Sequence, residues 1–294
     1  MKTVIVGSSG WVSRAAESLL VSSPNVPASD VLFYGSHDRV VSFGLRNYNV
    51  QRWSVTTLEE PVATFLPFAF HTVDRYQIMG TDRYNSENEE LIRKSVAFIR
   101  HNQPQKCVVI SSGIVYSDLR LSSRNDAYSA YAALKKREEE AIALACEEVG
   151  TSLVICRLFS ASGRHMPEPQ KYAIGNMIIQ AIHQGRISVD SSFAVFRRYV
   201  DMAQVLEICL KWEHCTQPLI FDSAGYLVEL HDLAIRISEI FGIKRGVYEV
   251  DVNNEDNYYS RSNRMESLAS SLGIELFDLD EQIRNTALSI SASM

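Results

Sequence analysis

Short apolar runs alternate with amphipathic segments over the first 160 residues of the chain. Runs rich in β-branched residues predict buried strands in TVIVG, DVLFYGS, ATFLP, KCVVISSG and SLVICRLFSASG. Between them, apolar residues at helical spacing predict helices in SRAAESLLVSS, SENEELIRKSVAFIRHN and AYSAYAALKKREEEAIALACEEVG, with Ser13 as a candidate N-cap of the first. This alternation predicts an α/β fold with a doubly wound parallel sheet and right-handed crossovers.

The C-terminal part is less regular and more helical. The proline-bearing stretch MPEPQ, residues 166–170, marks the change. Beyond it the pattern predicts helices in YAIGNMIIQAIHQG, MAQVLEICLKWEH, LHDLAIRISEIFG, RMESLASSLG and DEQIRNTALSISAS, and a strand in PLIFDSAG. We therefore expect a smaller, mainly helical C-terminal lobe in addition to the sheet domain.

Composition narrows the class of protein. The chain has 294 residues, 46% hydrophobic and 22% charged, which is typical of a globular protein that folds without disulfides. Its five cysteines form no CxxC pair and indicate no metal site, and four of them lie in apolar runs. A net charge of −6 argues against nucleic acid, and no apolar run reaches the roughly 18 residues that span a bilayer. We expect a cytoplasmic protein with no membrane or nucleic-acid partner.

A glycine-bearing turn joins the first predicted strand to the first predicted helix. In VIVGSSGWVSRA, Gly7 and Gly10 allow the backbone to approach a phosphate, and the helix N-terminus offers free N–H groups. Ser9, Trp11 and Val12 belong to the same turn, which predicts a dinucleotide site in a Rossmann-type sheet. The alternative is a plain strand-to-helix turn.

The end of the second predicted strand bears on the choice of cofactor. It reads FYGSHDR, with no carboxylate at the strand tip where one would bind the ribose of NAD. Ser36 and Arg39 instead suit a 2′-phosphate. NADP is therefore favoured, with NAD as the alternative.

A tyrosine and a lysine four residues apart, Tyr131 and Lys135, share one face of the third predicted helix. A free phenol has a pKa near 10, and a neighbouring ammonium lowers it, so the pair is suited to proton transfer. Ser111 and Ser112 follow a predicted strand and offer hydroxyl groups at the ligand-binding edge of the sheet. Such a pair also occurs by chance in ordinary helices, so the order of turn, serines and helix carries the prediction.

These motifs together resemble the extended short-chain dehydrogenase/reductases of the nucleotide-sugar epimerase/dehydratase family. The similar segments are GSSGWV, ISSGIVYSD, YAALK, CRLFSASGR and FRRYVDMAQV. The resemblance implies a catalytic role for Ser112, Tyr131 and Lys135. Tyr131 and Lys135 would also contact the cofactor, with Lys135 binding the nicotinamide ribose. The same resemblance implies cofactor contacts from Ser111 and Leu158, and substrate contacts from Ser112, Ser160, His165 and Arg197. For His165 a surface loop, and for Arg197 a salt bridge, are the alternatives.

The resemblance also implies a domain division and a homodimer. Residues 1–165, with about 198–228, would form the dinucleotide-binding domain, and residues 166–197 and 229–294 the substrate lobe. The dimer face would include Tyr128, Leu134 and the helix at Leu91 to Phe98.

Departures from the family pattern limit the expected reaction. The chain lacks the Asp-Glu pair that the family's 4,6-dehydratases place after the catalytic hydroxyl residue, since SDLRL stands there. What remains is 4-epimerisation or 4-keto reduction with NAD(P). Two alternatives stay open: a non-catalytic NAD(P)-binding sensor or scaffold, and a reductase of a carbonyl compound that is not a sugar.

Overall fold

The computed structural model describes residues 1–22, 27–43, 46–55, 57–116, 126–213, 216–244, 246 and 251–291. Its strands are β1 (Lys2–Val6), β2 (Val31–Gly35), β3 (Arg39–Phe43), β4 (Arg46–Arg52), β5 (Val62–Pro67), β6 (Lys106–Ser112), β7 (Ser152–Leu158), β8 (Ser160–Ser162), β9 (Phe193–Asp201), β10 (Leu219–Asp222), β11 (Tyr226–Glu229) and β12 (Asp251–Tyr258). Its helices are α1 (Trp11–Ser22), α2 (Tyr76–Met79), α3 (Thr81–Asn102), α4 (Asp126–Val149), α5 (Ala173–Gln184), α6 (Met202–Lys211), α7 (Leu230–Phe241), α8 (Arg264–Ser271) and α9 (Leu279–Ser291). Cys215 and the segment SDLRL lie outside the described residues.

The described residues form two compact units. The first comprises the described residues of Met1–Tyr116, Arg124–Arg157 and Cys209–Phe221. The second comprises those of Leu158–Ile208 and Asp222–Met294. The domain boundaries expected from the sequence, and the roles attached to them, stay a prediction.

An eight-stranded sheet organises the first unit, in the order β10-β7-β6-β5-β1-β2-β4-β3. Strand β1 pairs in parallel with β2 on one side and with β5 on the other, so the strand order reverses direction at β1. Right-handed crossovers then place successive helices on opposite faces of the sheet. The predicted doubly wound, Rossmann-type α/β sheet is confirmed, and the reversal at β1 creates the crevice in which such sheets bind ligands.

The central strands of this sheet are apolar because both of their faces are covered. Four of the five residues of β1 are buried, and the rings of Phe65 on β5 and Phe98 on α3 stack 4.4 Å apart in the same core. Helix α3 packs against α4. Cys107, Cys146, Cys156 and Cys209 are buried free thiols, as predicted for small core residues.

Three local features differ from the sequence-based expectation. Strands β3 and β4 pair antiparallel and were not predicted, because RVVSF and RNYNVQR lack a continuous apolar run. The run SLVICRLFSASG, predicted as one strand, divides into β7 and β8, which join different sheets. Helix α1 begins at Trp11, so Ser13 is a buried residue of its first turn and not its N-cap.

The second unit combines helices with a sheet of its own. Strand β9 pairs antiparallel with β11 and in parallel with β8 and β12. The helices of this unit were predicted from the sequence, but β9, β11 and β12 were not. Strand β9 carries two adjacent arginines, and β12 is largely polar. Pairing with neighbouring strands, and not apolar periodicity, fixes their conformation.

The described residues contain neither a membrane-spanning helix nor a metal-binding cluster. No helix in the described ranges is long and apolar enough to cross a membrane. The same ranges contain no group of three or more histidine, cysteine, aspartate or glutamate residues arranged to hold a metal ion.

Candidate active site

The glycine turn forms a tight connection at the carboxyl end of β1. Gly7 has a φ of +94°, and its N–H donates to the carbonyl oxygen of Tyr34 at 2.9 Å. A Cβ on Gly7 would lie 2.7 Å from the backbone nitrogen of Ala69, so only glycine fits there. A Cβ on Gly10 would meet nothing closer than the Gly7 carbonyl oxygen at 3.4 Å. The turn therefore uses Gly7 for packing against the next strand end and leaves the space at Gly10 open.

The other residues predicted for this turn occupy different environments. Ser9 is exposed, Val12 is half-buried, and Trp11 is buried as the first residue of α1. The exposed part of the turn is thus restricted to Ser9 and Gly10, directly before the N-terminus of the helix.

Helix α1 also buries a carboxyl group. Glu17 is 1% exposed, and neither of its carboxyl oxygens has a hydrogen-bond partner among the described residues. Burial raises the pKa of Glu17 to about 9, with the charge of Arg14 opposing the shift. The side chain is thus a neutral acid at pH 7 in the folded protein.

The second strand end brings a guanidinium to the glycine turn. Nη2 of Arg39 donates to Oγ of Ser8 at 3.1 Å. Ser36 is exposed, and its hydroxyl lies 3.0 Å from Nδ1 of His37. The carboxylate of Asp38 accepts a hydrogen bond from the backbone N–H of Arg52, which ties the segment after β2 to the end of β4. Arg39 is therefore a charged side chain in direct contact with the glycine turn.

The two serines at the end of β6 are both buried and differ in their contacts. Oγ of Ser112 accepts from the N–H of Ile114 at 3.3 Å and caps a single helical turn. Oγ of Ser111 is buried with no hydrogen-bond partner among the described residues. Strand β6 is parallel to β5, which is parallel to β1, so both hydroxyls lie at the same edge of the sheet as the glycine turn.

Tyr131 and Lys135 of helix α4 both contact one aromatic ring, that of Phe70. The ammonium of Lys135 lies 3.9 Å from the centroid of Phe70, and the Tyr131 ring meets Phe70 edge-on at 5.9 Å. Phe70 follows Ala69, the residue that packs against Gly7. The loop after β5 thus connects the glycine turn to the predicted catalytic pair.

The Lys135 side chain is almost fully enclosed. It is 5% exposed, and its Nζ donates to the carbonyl oxygen of Ile110 at 3.1 Å and to Oε2 of Glu138 at 2.8 Å. Glu138 is itself 3% exposed, and burial raises its pKa while the Lys135 charge opposes that shift. This ion pair was not predicted from the sequence, although a lysine and a glutamate three apart on one helix are close enough to pair.

A second cluster, also not predicted as part of the site, lies at the end of β7. The guanidinium of Arg157 pairs with the Glu139 carboxylate at 2.7 Å and donates to the Tyr116 hydroxyl at 2.8 Å. These contacts raise the pKa of Arg157. The signal was Glu139, one turn beyond Lys135 on the same helix, together with an arginine next to the strand end. Leu158, a predicted cofactor contact, is the half-buried last residue of β7.

The residues predicted to touch a substrate belong to the second unit, apart from Ser112. Ser160 begins β8 opposite Tyr199 of β9, and His165 is half-buried with a φ of +66°. Arg197 lies on β9, where its Nη2 pairs with the Asp256 carboxylate of β12 at 3.1 Å. Nη1 of Arg197 donates to the carbonyl oxygens of Phe196 and Asp256. Those contacts favour the salt-bridge alternative for Arg197.

The first unit therefore gathers, at the carboxyl edge of its sheet, the groups that the sequence singled out for cofactor binding and proton transfer. They are the glycine turn, Arg39, the serines of β6 and the tyrosine and lysine of α4. A phenol beside an ammonium can exchange a proton, and the turn with its helix N-terminus can accept a phosphate.

No protein-family model and no curated protein matches the sequence. Solved structures match the whole chain. The Bordetella bronchiseptica enzyme WbmF in complex with NADH has a TM-score of 0.76 at 16% identity, covering 99% of this chain and 92% of that one. MoeE5 in complex with UDP-glucose and NAD has a TM-score of 0.73 at 14% identity, covering 100% and 99%.

A third structure extends the comparison to a named activity. UDP-N-acetylglucosamine 4-epimerase from Methanobrevibacter ruminantium M1, in complex with UDP-N-acetylmuramic acid, has a TM-score of 0.72 at 17% identity and covers 100% of both chains. At these identities the likeness establishes the fold. The chain therefore shares the fold of these three structures over its full length.

Proposed function

We propose that this protein is an NAD(P)-dependent enzyme that acts at C4 of a nucleotide sugar, as an epimerase or a 4-keto-reductase. The observation that carries the proposal is that Tyr131 and Lys135 of α4 both contact Phe70. The glycine turn touches the same loop at Ala69. One structure of similar fold holds UDP-glucose and NAD, and another holds NADH, which supports both the cofactor and the substrate class.

The residues at the glycine turn fit a dinucleotide. Gly10 leaves open space before the N-terminus of α1, where a pyrophosphate is stabilised by free N–H groups and the helix dipole. Ser36 and Arg39 would contact a 2′-phosphate, and Arg39 is already held at the turn by Ser8. Asp38 is engaged by the Arg52 backbone. These contacts support NADP over NAD, although the similar structures contain NAD or NADH.

The chemistry then divides between the side chains and the cofactor. Tyr131 exchanges a proton with the substrate oxygen at C4, and Ser112 donates a hydrogen bond to that oxygen. The positive charge of Lys135, reduced by its ion pair with Glu138, favours the phenolate form of Tyr131. When bound, the nicotinamide ring supplies the acceptor and donor of hydride. Whether hydride returns to the same molecule separates an epimerase from a reductase.

The further contacts proposed to the substrate come from the second compact unit. Ser160 and His165 would contact the sugar, as the family resemblance implies. Arg197 would contact the diphosphate only if its pair with Asp256 opened. The absence of an Asp-Glu pair after Ser112 argues against a 4,6-dehydratase, even though one dTDP-glucose 4,6-dehydratase has a similar fold.

A non-catalytic dinucleotide-binding protein is the second candidate, and one observation favours it. The Lys135 ammonium already contacts the Ile110 carbonyl, the Glu138 carboxylate and the Phe70 ring. A ribose hydroxyl would have to replace one of these three contacts to bind the ammonium. A sensor tolerates a lysine that is already engaged, whereas an enzyme needs one of these contacts released.

A homodimer through α3 and α4 is also proposed. The two helices pack side by side, and Leu144 on α4 is 55% exposed, which gives the pair an apolar surface residue. Leu134 is buried within the chain and cannot supply that face. Sedimentation velocity of the wild-type protein and of Leu144→Glu tests the interface: the variant is expected to shift toward the monomer.

The function is tested by turnover on a panel of UDP-hexoses deuterated at C4, with NADP+ or NAD+ added, followed by NMR. An epimerase inverts C4 and retains the deuterium. A reductase instead consumes NADPH in proportion to a 4-keto sugar. Cofactor binding without turnover on any sugar would support the second candidate.

A further inference from the structure

The ammonium of Lys135 is neutralised by a carboxylate of its own helix. Nζ of Lys135 and Oε2 of Glu138 are 2.8 Å apart, with side chains 6% and 4% exposed. The next residue, Glu139, pairs with Arg157 of β7 instead. The two adjacent glutamates therefore pair with different cations. Of these two pairs, only Glu139–Arg157 is formed between the helix and another element.

A purely structural origin explains the Lys135–Glu138 pair poorly. An ion pair between residues three apart on one helix stabilises that helix only slightly. The link from this pair to another element is the hydrogen bond from Lys135 to the Ile110 carbonyl of β6. Burying both charges costs desolvation energy, so apolar residues of similar volume serve a core as well or better. The pair is also next to Phe70, which contacts Tyr131.

We propose that Glu138 is a positioning residue for Lys135, fixing its ammonium against the Ile110 carbonyl and weakening its field at Tyr131. The proposal rests on the proposed function, because it assigns Glu138 a part in tuning the group that moves the proton. It adds a residue that the family motif of tyrosine and lysine does not contain.

The other ionisable groups that face this pair are neutral at pH 7 or paired. From β6, which packs against α4, Cys107 faces Glu138, and burial raises the pKa of that thiol. From α3, Tyr84 faces Tyr131, and burial raises the pKa of its phenol. On α4 itself, Glu139 is held by Arg157. Among the described residues, Glu138 is thus the carboxylate that faces Lys135, since the neighbouring Glu139 is paired with Arg157.

The sign of the effect follows from Coulomb's law. A carboxylate beside the ammonium reduces the positive potential that stabilises a phenolate at Tyr131. Removing the carboxylate charge while keeping the side-chain shape therefore lowers the pKa of the Tyr131 phenol.

The test is a phenolate absorbance titration of the cofactor-free protein, with Tyr131→Phe subtracted to isolate Tyr131. Glu138→Gln is expected to lower the midpoint by about one pH unit. Glu140→Gln is the matched control, because it makes the same change two residues away on the exposed face of α4. It is expected to shift the midpoint by no more than about 0.2 unit. Equal midpoints for Glu138→Gln and wild type would overturn the proposal.

A double variant keeps the test decisive if Glu138→Gln does not fold. Lys135→Met/Glu138→Met replaces the buried pair by apolar side chains, which cores tolerate. Because the proposed pair is close to neutral, its joint removal is expected to move the Tyr131 midpoint by less than about 0.5 unit. A rise of about one unit or more would mean that the ammonium acts unopposed, and would overturn the proposal.

The titration uses neither cofactor nor substrate, so it separates the two proposals. The expected shift in a protein that turns over no sugar would refute the enzymatic function and leave the Glu138–Lys135 coupling standing. An active enzyme with an unshifted midpoint would refute the coupling alone.

Discussion

Two ion pairs of low exposure, one in each compact unit, have similar distances and different surroundings. Lys135 and Glu138 lie on one helix, 2.8 Å apart, and Arg197 and Asp256 lie on paired strands, 3.1 Å apart. The Arg197 guanidinium also binds two backbone carbonyl oxygens, which ties β9 to β12. The Lys135 ammonium instead contacts the ring of Phe70, and that ring also contacts Tyr131.

The difference shows how to separate a structural cation from a functional one. Both residues matched family motifs in the sequence, and both are paired in the structure. The arginine pair crosslinks strands, so its loss should appear as lost stability. The Lys135–Glu138 pair lies within one helix, is joined to β6 through the Ile110 carbonyl, and adjoins a phenol, so its loss should appear in proton transfer. The predictions below test this division.

The largest expected effect is on turnover by Tyr131→Phe. Without the hydroxyl, the helix has no group to move the proton, and turnover should fall about 1,000-fold. Tyr128→Phe, three residues earlier on α4, is the matched control and should keep most of the activity. Initial rates on the active UDP-hexose measure both, and full turnover by the Tyr131 variant would refute the mechanism.

Arg197→Met should affect stability more than function. Its loss leaves Asp256 buried without its cation, which should cost about 3 kcal/mol of unfolding free energy in urea. Asp256→Asn should cost a similar amount, and the double variant should cost less than the sum of the two. Unchanged stability with weakened binding of a UDP-sugar would instead assign Arg197 to the diphosphate.

Glu17 shows what a buried carboxyl group does without any cation. Because burial raises the pKa of Glu17 to about 9, the folded state holds a proton that the unfolded state releases above its ordinary pKa near 4.5. Stability should therefore fall as pH rises from about 4.5 to 9, by about 1.4 kcal/mol per pH unit. Glu17→Gln removes this loss and should stabilise the protein by about 3 kcal/mol at pH 7.

The Glu17 prediction is checked by urea unfolding at pH 5 and pH 8. The gain from Glu17→Gln should be larger at pH 8. Arg14→Gln is a useful control, because it removes the charge that opposes the shift, so it should extend the loss of stability to higher pH and leave the slope between pH 5 and 8 unchanged. An equal effect of Glu17→Gln at both pH values would show that Glu17 is ionised in the folded protein.

The smallest expected effect concerns Arg39, a cation whose observed partner is the neutral hydroxyl of Ser8. Its charge is available for a 2′-phosphate, unlike that of Arg197. Arg39→Gln should weaken NADPH binding about tenfold and leave NADH binding nearly unchanged. Calorimetric titration measures both, and equal losses for the two cofactors would assign Arg39 a structural role.

The sequence predicted the elements whose signal is local and missed those that depend on partners. The apolar runs of β1, β5 and β6 and the periodicity of α3 and α4 identify the sheet and its crossovers. Strands β3, β4, β9 and β12 are polar or carry arginines, so only pairing with neighbouring strands fixes them.

The site follows the same rule. Spacing along one helix placed Tyr131 with Lys135, and strand ends placed the glycine turn with the serines. Phe70 could not be found this way, because its contact with Lys135 joins a loop to a helix 65 residues later in the chain. The pairing of Glu138 with Lys135 and of Glu139 with Arg157 likewise depends on which helix face is buried.

The central claim is that the glycine turn binds a nicotinamide dinucleotide, and calorimetric titration of NADPH and NADH into Gly10→Ala and wild type tests it most directly. Ala at position 10 meets no atom closer than 3.4 Å within the protein, so the fold and the melting temperature should be unchanged. The account predicts that wild type binds a dinucleotide and that the variant loses it, because the added methyl group occupies the space of the phosphate. Failure of wild type to bind either cofactor, or equal binding by the variant, would contradict the account.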